Sequence, residues 1–206
     1  MSELQIIPDH DSQTSSGSAS GSNYGSATTI YIKHQDGSYD RLGWFKWSDS
    51  LIQSYASKIK SINSATWYLY LSEVSTGFAG TVYRASSDWN ESTITYDNQP
   101  GITGDNYGPW TLTSTGWKSL DITTLFTGWF EQTIDRYGVR LWNGSVNGNS
   151  ITVHSSENET NKPYILLDYV PKAGGGILNW WFFKEAWEKH DRIWKPKLTE
   201  GYSYAR

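Results

Sequence analysis

Asp88 and Glu91 are the pair of carboxylates whose spacing invites an acid/base reading, and the stretch that carries them argues against it. They stand three apart in Val82-Tyr-Arg-Ala-Ser-Ser-Asp-Trp-Asn-Glu-Ser-Thr-Ile-Thr-Tyr-Asp-Asn-Gln-Pro100, which reads as a strand, a polar corner around one Trp, an alternating run and a turn closed by Pro. Paired carboxylates that cleave glycosidic bonds must face each other across a substrate at a set distance, and such a loop supplies none. The plainer role for Trp89, Glu91 and Thr93 is structural: a ring anchors the corner while a carboxylate and a hydroxyl satisfy backbone amides that have left their ladder.

Other chemistry is thin. Asp11, Glu157, Glu159 and Asp168 lie near the two ends of the main body, and their hard oxygens would suit a structural Ca2+. No Asp-x-Asp-x-Asp loop accompanies them, which favours solvated surface carboxylates; no other cofactor is implied. His10, His34, His154 and His190 fall in no metal-ligand spacing. With no Cys, thiol catalysis, disulfides and Cys-ligated zinc are excluded. No P-loop, dinucleotide fingerprint or GxSxG elbow occurs.

What the chain has in excess is rings: 16% aromatic with 12 Trp and 14 Tyr, against only 18% charged residues. Trp44, Trp47, Tyr70, Tyr107, Trp110 and Trp142 are too many for one core. Half or more belong to a core or interface; any left exposed could stack on the C–H faces of sugars. The glycan-binding candidates are Trp44, Trp47, Tyr107, Trp110 and Trp142.

Period-two alternation between turn residues marks the elements that must hold these side chains. It predicts a first strand at Thr29–Ile32 and then strands at Arg41–Trp47, Ala65–Glu73, Gly80–Ala85, Ser92–Tyr96, Trp117–Ile122, Tyr137–Asn143, Ser150–His154 and Tyr164–Val170. Asn143-Gly144 and Asn147-Gly148 are turn dipeptides. Helical turns are predicted at Leu51–Ile59 and after Asp121, where Thr123 or Thr124 can cap. Residues 12–29, rich in Ser, Gly and Thr, read as a loop delivering the chain to its first strand. Many short strands without long alternating helices imply an all-β fold, a jelly-roll β-sandwich over residues 1–170.

The character changes after Val170. Residues 171–176 (Pro-Lys-Ala-Gly-Gly-Gly) form a hinge, and residues 177–206 form an aromatic, amphipathic C-terminal extension. Trp180, Phe183, Trp187 and Trp194 recur at helical spacing, and Lys184–Glu188, Glu185–Lys189 and Glu188–Arg192 are i,i+4 charge pairs, so a helix is expected there. From Pro171 onward seven Lys/Arg stand against four Asp/Glu, while the whole chain carries −4. So many rings left wet would cost several kcal/mol at ~25 cal/mol per Å². Trp180, Trp181, Phe183, Trp187 and Trp194 are therefore expected to bind a protein partner.

The ordered set of residues resembles a known family, the DNRLRE-type or disaggregatase-related repeats that overlap carbohydrate-binding module family 96. The resemblance is carried by Asp11 with Asn23-Tyr24-Gly25, Arg41–Trp47, Ile62–Leu71, Trp89–Pro100, Gly116-Trp117 with Leu120–Thr123, Trp129, Tyr137–Leu141, and Ser155-Ser156-Glu157 with Lys162-Pro163-Tyr164-Ile165. It spans most of residues 6–170 and implies a jelly-roll sandwich used as a non-catalytic module of surface proteins, some of which bind polysaccharide. The segment after Gly176 has no counterpart in it.

The net charge advertises no nucleic-acid partner. Met1–His10 shows no secretory signal, and no run approaches the ~18 apolar residues of a membrane span. The expectation is a protein made in the cytoplasm, not an enzyme, and homo-oligomeric or assembly-bound. It would be a structural and adhesion component of a virion surface, such as a phage capsid decoration, head-fibre or tail protein, docked by residues 177–206. The alternative is a free carbohydrate-binding module, extracellular or at the cell surface if exported by another route. An enzyme such as a polysaccharide lyase or glycosidase is the third and least supported reading.

Overall fold

A computed structural model describes residues 2–35, 39–75, 77–142 and 148–172, together with the backbones of 187–190 and 193–196. The organising strand is β5 (Ile59–Val74). Ala65, Trp67, Leu69 and Leu71 are at most 1% exposed on one face, and Thr66, Tyr68 and Tyr70 alternate with them onto the other. One edge of β5 pairs antiparallel with β8 (Gly116–Asp121). The other pairs first with β11 (Tyr164–Pro171) and then with β10 (Ser150–His154). Register shifts at Thr152/Val153 and Asp168/Tyr169 bend these ladders, as bulges do.

β11 also carries β1 (Ser2–Ile6), and β10 carries β3 (Thr29–Lys33). A single residue pair, Lys33 with Arg41, joins β3 to β4 (Arg41–Lys46), and there the sheet turns over. Beyond it β4 pairs with β2 (His10–Ser15) and β9 (Val139–Trp142), β9 with β6 (Phe78–Ala85), and β6 with β7 (Ile102–Leu112). The result is one curled antiparallel sheet of 11 strands whose two halves face each other. Trp67 of β5 meets Phe45 of β4 at 4.9 Å between ring centroids and Trp110 of β7 at 5.7 Å, although β5 pairs with neither strand. This is the all-β, jelly-roll-type sandwich expected. Each fully buried ring stabilises it by about 1.5–3 kcal/mol.

Two helices close one end. In α1 (Asp49–Ala56), Ser48 Oγ caps Leu51 N and Ile52 is buried; in α2 (Thr123–Glu131), Leu125, Phe126 and Trp129 are buried. Arg136 ties them together, donating from Nε to Trp129 O (2.5 Å) and from Nη1 to Asp49 Oδ1 (2.7 Å).

The structure departs from the sequence reading in several places. β1 and β7 are additional strands, and residues 12–15 belong to β2 rather than to a loop. β2 is polar yet buried, because its polar groups find partners: Gln13 Oε1 accepts from Tyr31 N (2.8 Å), and Thr14 Oγ1 donates to Gln99 Oε1 (2.6 Å) while accepting from Trp44 Nε1 (3.0 Å). Ser92–Tyr96 is not a strand. It lies in successive turns held by side chains, Asn98 Oδ1 accepting from Thr95 N (2.7 Å) and Asn98 Nδ2 donating to Thr93 O (2.9 Å). The helix expected in the C-terminal extension is also absent where that segment is described. β12 (Trp187–His190) and β13 (Ile193–Pro196) pair antiparallel, with Lys189 opposite Trp194, for ring and β-branched residues sit as readily in a strand. Trp180, Trp181 and Phe183 of that expected helix, and the Asn143-Gly144 turn, lie outside the described residues.

Candidate functional site

The corner that follows β6 lies across the outer face of β4 and builds a second core. Leu42, Trp44, Ala85, Trp89 and Ile94 are buried together, with Tyr96, Tyr137 and Trp142 packed around them. Trp89 anchors the corner by donating from Nε1 to Tyr137 O (2.8 Å). Lys46 Nζ pairs with Asp88 (3.0 Å), donates to Trp89 O (2.5 Å) and lies 5.2 Å from the centre of the Trp89 ring. Glu91 instead accepts from Asp11 N (2.7 Å), so Asp88 and Glu91 are committed to different partners. Thr93 is exposed and its hydroxyl donates to Asn90 O, so it satisfies no buried amide. The adjoining cleft is lined by two ion pairs, Lys46 with Asp88 and Arg136 with Asp49, and by the exposed Asp135.

Glu91 has a second set of neighbours. One carboxylate oxygen each of Asp11, Glu91 and Glu157 can be chosen so that all lie within 4.8 Å of one another, which among the described residues makes them the group able to hold a metal ion. They come from β2, from the corner and from the loop after β10. Asp11 is 1% exposed; its Oδ2 accepts from Ser156 N (2.7 Å), and its Oδ1 has no hydrogen-bond partner. Burial, reinforced by Glu157, pushes the Asp11 carboxyl up to about 8. Burial also raises Glu91, against the lowering hydrogen bond from Asp11 N. Of the other carboxylates proposed from sequence, Glu159 is exposed and Asp168 accepts from Asn63 Nδ2 (3.3 Å); neither joins the group.

The outer face of β5 carries the opposite kind of surface. Tyr68 and Tyr70 point away from the core, and their cross-strand neighbours are rings too: Tyr164 opposite Tyr68 on β11, and Trp117 opposite Tyr70 on β8. Tyr68 and Tyr164 stack at 4.9 Å and 12°. Tyr164 meets Trp117 at 5.3 Å, Trp117 meets Tyr70 at 5.4 Å, and Tyr70 meets His154 of β10 at 4.8 Å. Trp117 is 41% exposed, and the other four are half-buried. Burial, with Tyr68 adding to it, raises the Tyr164 phenol, which is therefore neutral at physiological pH. Five touching rings on four strands make a partly wet aromatic strip, held by β-ladders rather than by loops.

The glycan candidates chosen from sequence all lie elsewhere. Trp44, Trp47 and Trp110 are 0–7% exposed. β4 sends Phe45 into the main core, Trp47 just beyond it follows, and the corner covers Trp44 on the other side. Trp47 Nε1 donates to Ile6 O (3.0 Å), as an interior indole does. Tyr107 is half-buried against the main core, its phenol raised chiefly by burial. Trp142 is half-buried, with the Arg140 guanidinium 5.2 Å from its ring and His34 edge-on to it at 5.5 Å. The strip was missed because Tyr68, Trp117 and Tyr164 stand out only when three strands are brought into register. Trp187 and Trp194 lie on β12 and β13.

The described residues thus form an antiparallel sandwich that shows a strip of rings on one sheet face. Residues 2–169 match carbohydrate-binding module family 96, and the chain belongs to that family. No curated protein matches the chain.

Proposed function

We propose that this protein is a non-catalytic polysaccharide-binding module that lays its ligand along the Tyr68–Tyr164–Trp117–Tyr70–His154 strip. The observation that carries the reading is that strip, five contiguous rings on a sheet face of a chain in a carbohydrate-binding family. Sugar C–H faces pack on aromatic faces, and the tyrosine hydroxyls and the imidazole offer hydrogen bonds to ring substituents. A sheet face suits a chain-like ligand because its ring positions are set by the ladder and cost little ordering on binding. The test is affinity electrophoresis through gels loaded with a panel of neutral and acidic polysaccharides. Retardation by at least one of them that Trp117→Ala abolishes, with an unchanged melting temperature, is expected. Retardation equal in wild type and variant would place binding elsewhere, and any turnover of the retained polysaccharide would refute the non-catalytic part.

The finer role we propose is display: the module acts as an adhesion component of a larger assembly, such as a virion-surface decoration, head-fibre or tail protein, docked by residues 177–206. Its support is compositional. Four of the 12 Trp and a net positive charge fall after Val170. Deleting residues 177–206 should leave glycan retardation intact and abolish co-assembly; co-assembly that survives the deletion rules the docking role out.

A further inference from the structure

We infer that Asp11, Glu91 and Glu157 form a Ca2+ site that pins three separate segments of the chain at the corner of the sandwich. Three observations converge on it. First, the ligand oxygens are assembled from positions 80 and 66 residues apart in sequence and held within 4.8 Å of one another. Like charges so gathered repel unless a proton or a cation lies among them.

Second, Asp11 is not fully satisfied by the described residues. It is 1% exposed, Oδ2 accepts from Ser156 N, and Oδ1 has no partner of either kind. An ionised Oδ1 lacks a donor, a protonated one lacks an acceptor, and a buried orphan of either sort costs about 1–3 kcal/mol or more. A cation resolves both cases.

Third, the nearby basic groups are spent. Lys46 is bound to Asp88 and Trp89 O. His10 Nδ1 comes only to 3.9 Å from Glu91 Oε2, beyond hydrogen-bond distance.

The surroundings are built to hold these ligands still. Asn23 Nδ2 donates to Glu91 O and Ile94 O, both at 2.7 Å, which ties the 22–27 loop to the corner. Gly25 approaches Glu91 so closely that a Cβ there would lie 2.4 Å from Glu91 O. Ser155 Oγ donates to Ala27 O (2.7 Å), and Asn158 Nδ2 donates to Thr28 O (3.1 Å), fixing the loop that carries Glu157. An all-carboxylate set fits Ca2+ rather than Mg2+, which demands near-ideal octahedral geometry, or Zn2+, which prefers nitrogen and sulfur.

The experiment uses the full chain, stripped with a chelator and dialysed. Millimolar Ca2+ should raise its melting temperature by about 5–10 °C, since a ligand bound only by the folded state stabilises it in proportion to the logarithm of its excess. Mg2+ should do much less. Terbium(III), excited through tryptophan, should give a saturable signal at one ion per chain that Ca2+ displaces. Glu157→Gln, on a surface loop, should fold and weaken Ca2+ about tenfold or more; Asp11→Asn, if it folds, should lose the response. A stripped protein whose melting temperature ignores Ca2+ and which gives no saturable terbium signal overturns the site. So does a Ca2+ response unchanged in Glu157→Gln, or one that Mg2+ or Zn2+ matches at equal concentration.

Discussion

Two outer faces of the same curled sheet carry aromatic side chains, and they meet opposite fates. Over β4 the rings are roofed: the 86–101 corner lies on Trp44 and, with Trp89 and Ile94, turns a sheet surface into a second core. Over β5 the described residues leave the equivalent face open, with Trp117 exposed and Tyr70, Tyr68 and Tyr164 half-buried. Ring count is similar in both. What separates a core from a recognition surface is whether another segment covers it, and that depends on long-range topology.

The contrast can be broken by mutation, and the largest effect should fall under the roof. Trp89→Ala removes both the indole that fills this core and its bond to Tyr137 O, and should cost about 3–5 kcal/mol in urea unfolding. Gly25→Ala comes next, at about 2–3 kcal/mol, because its Cβ would strike the Glu91 backbone and the neighbour cannot retreat. On the open face, Trp117→Ala should change stability by less than about 1 kcal/mol while removing glycan retention, so the two faces separate stability from binding.

A pH scan of chelator-treated protein sharpens the same contrast. The Asp11 carboxyl is raised in the folded state from 3.8 to about 8, so the native state holds a proton that the unfolded chain releases. Stability from this group is fully present below about pH 4 and is lost as pH rises towards 8. Glu157, Glu91 and the Ser156 amide are the groups that face it. Melting temperatures should therefore fall over that window, and Glu157→Gln should flatten the slope. The smallest effect is Tyr68→Phe, which keeps the stack on Tyr164 and should shift binding only a few-fold.

Local pattern was enough for much of this fold. Alternation in Ala65–Leu71 located β5 and its buried face, the bounds of β10 were readable as Ser150–His154, and Asp121-Ile-Thr-Thr announced α2. Where side chains rather than periodicity bury a strand, the signal vanished: His10–Ser15 is polar throughout, and its burial depends on Gln99, Trp44 and Tyr31 from elsewhere. Ser92–Tyr96 alternates convincingly yet turns, because Asn90 and Asn98 offer its backbone local partners. Two of the three acidic residues, Asp11 and Glu157, were legible in the sequence. Glu91 was assigned to the corner alone, for one side chain there serves an amide and a carboxylate cluster together.

The pairing of β1 with β11 sets Ser2 opposite Tyr169, so the two ends of the folded unit leave from the same edge. A unit tethered in this way can be spliced into a surface turn of a host polypeptide without stretching it. Tension applied between those two ends would open the rungs singly, as a zip does, starting at Ser2 and Tyr169. Tension entering from a captured ligand and leaving through one end alone would instead load the β11–β5 ladder along its length, where many rungs share it at once.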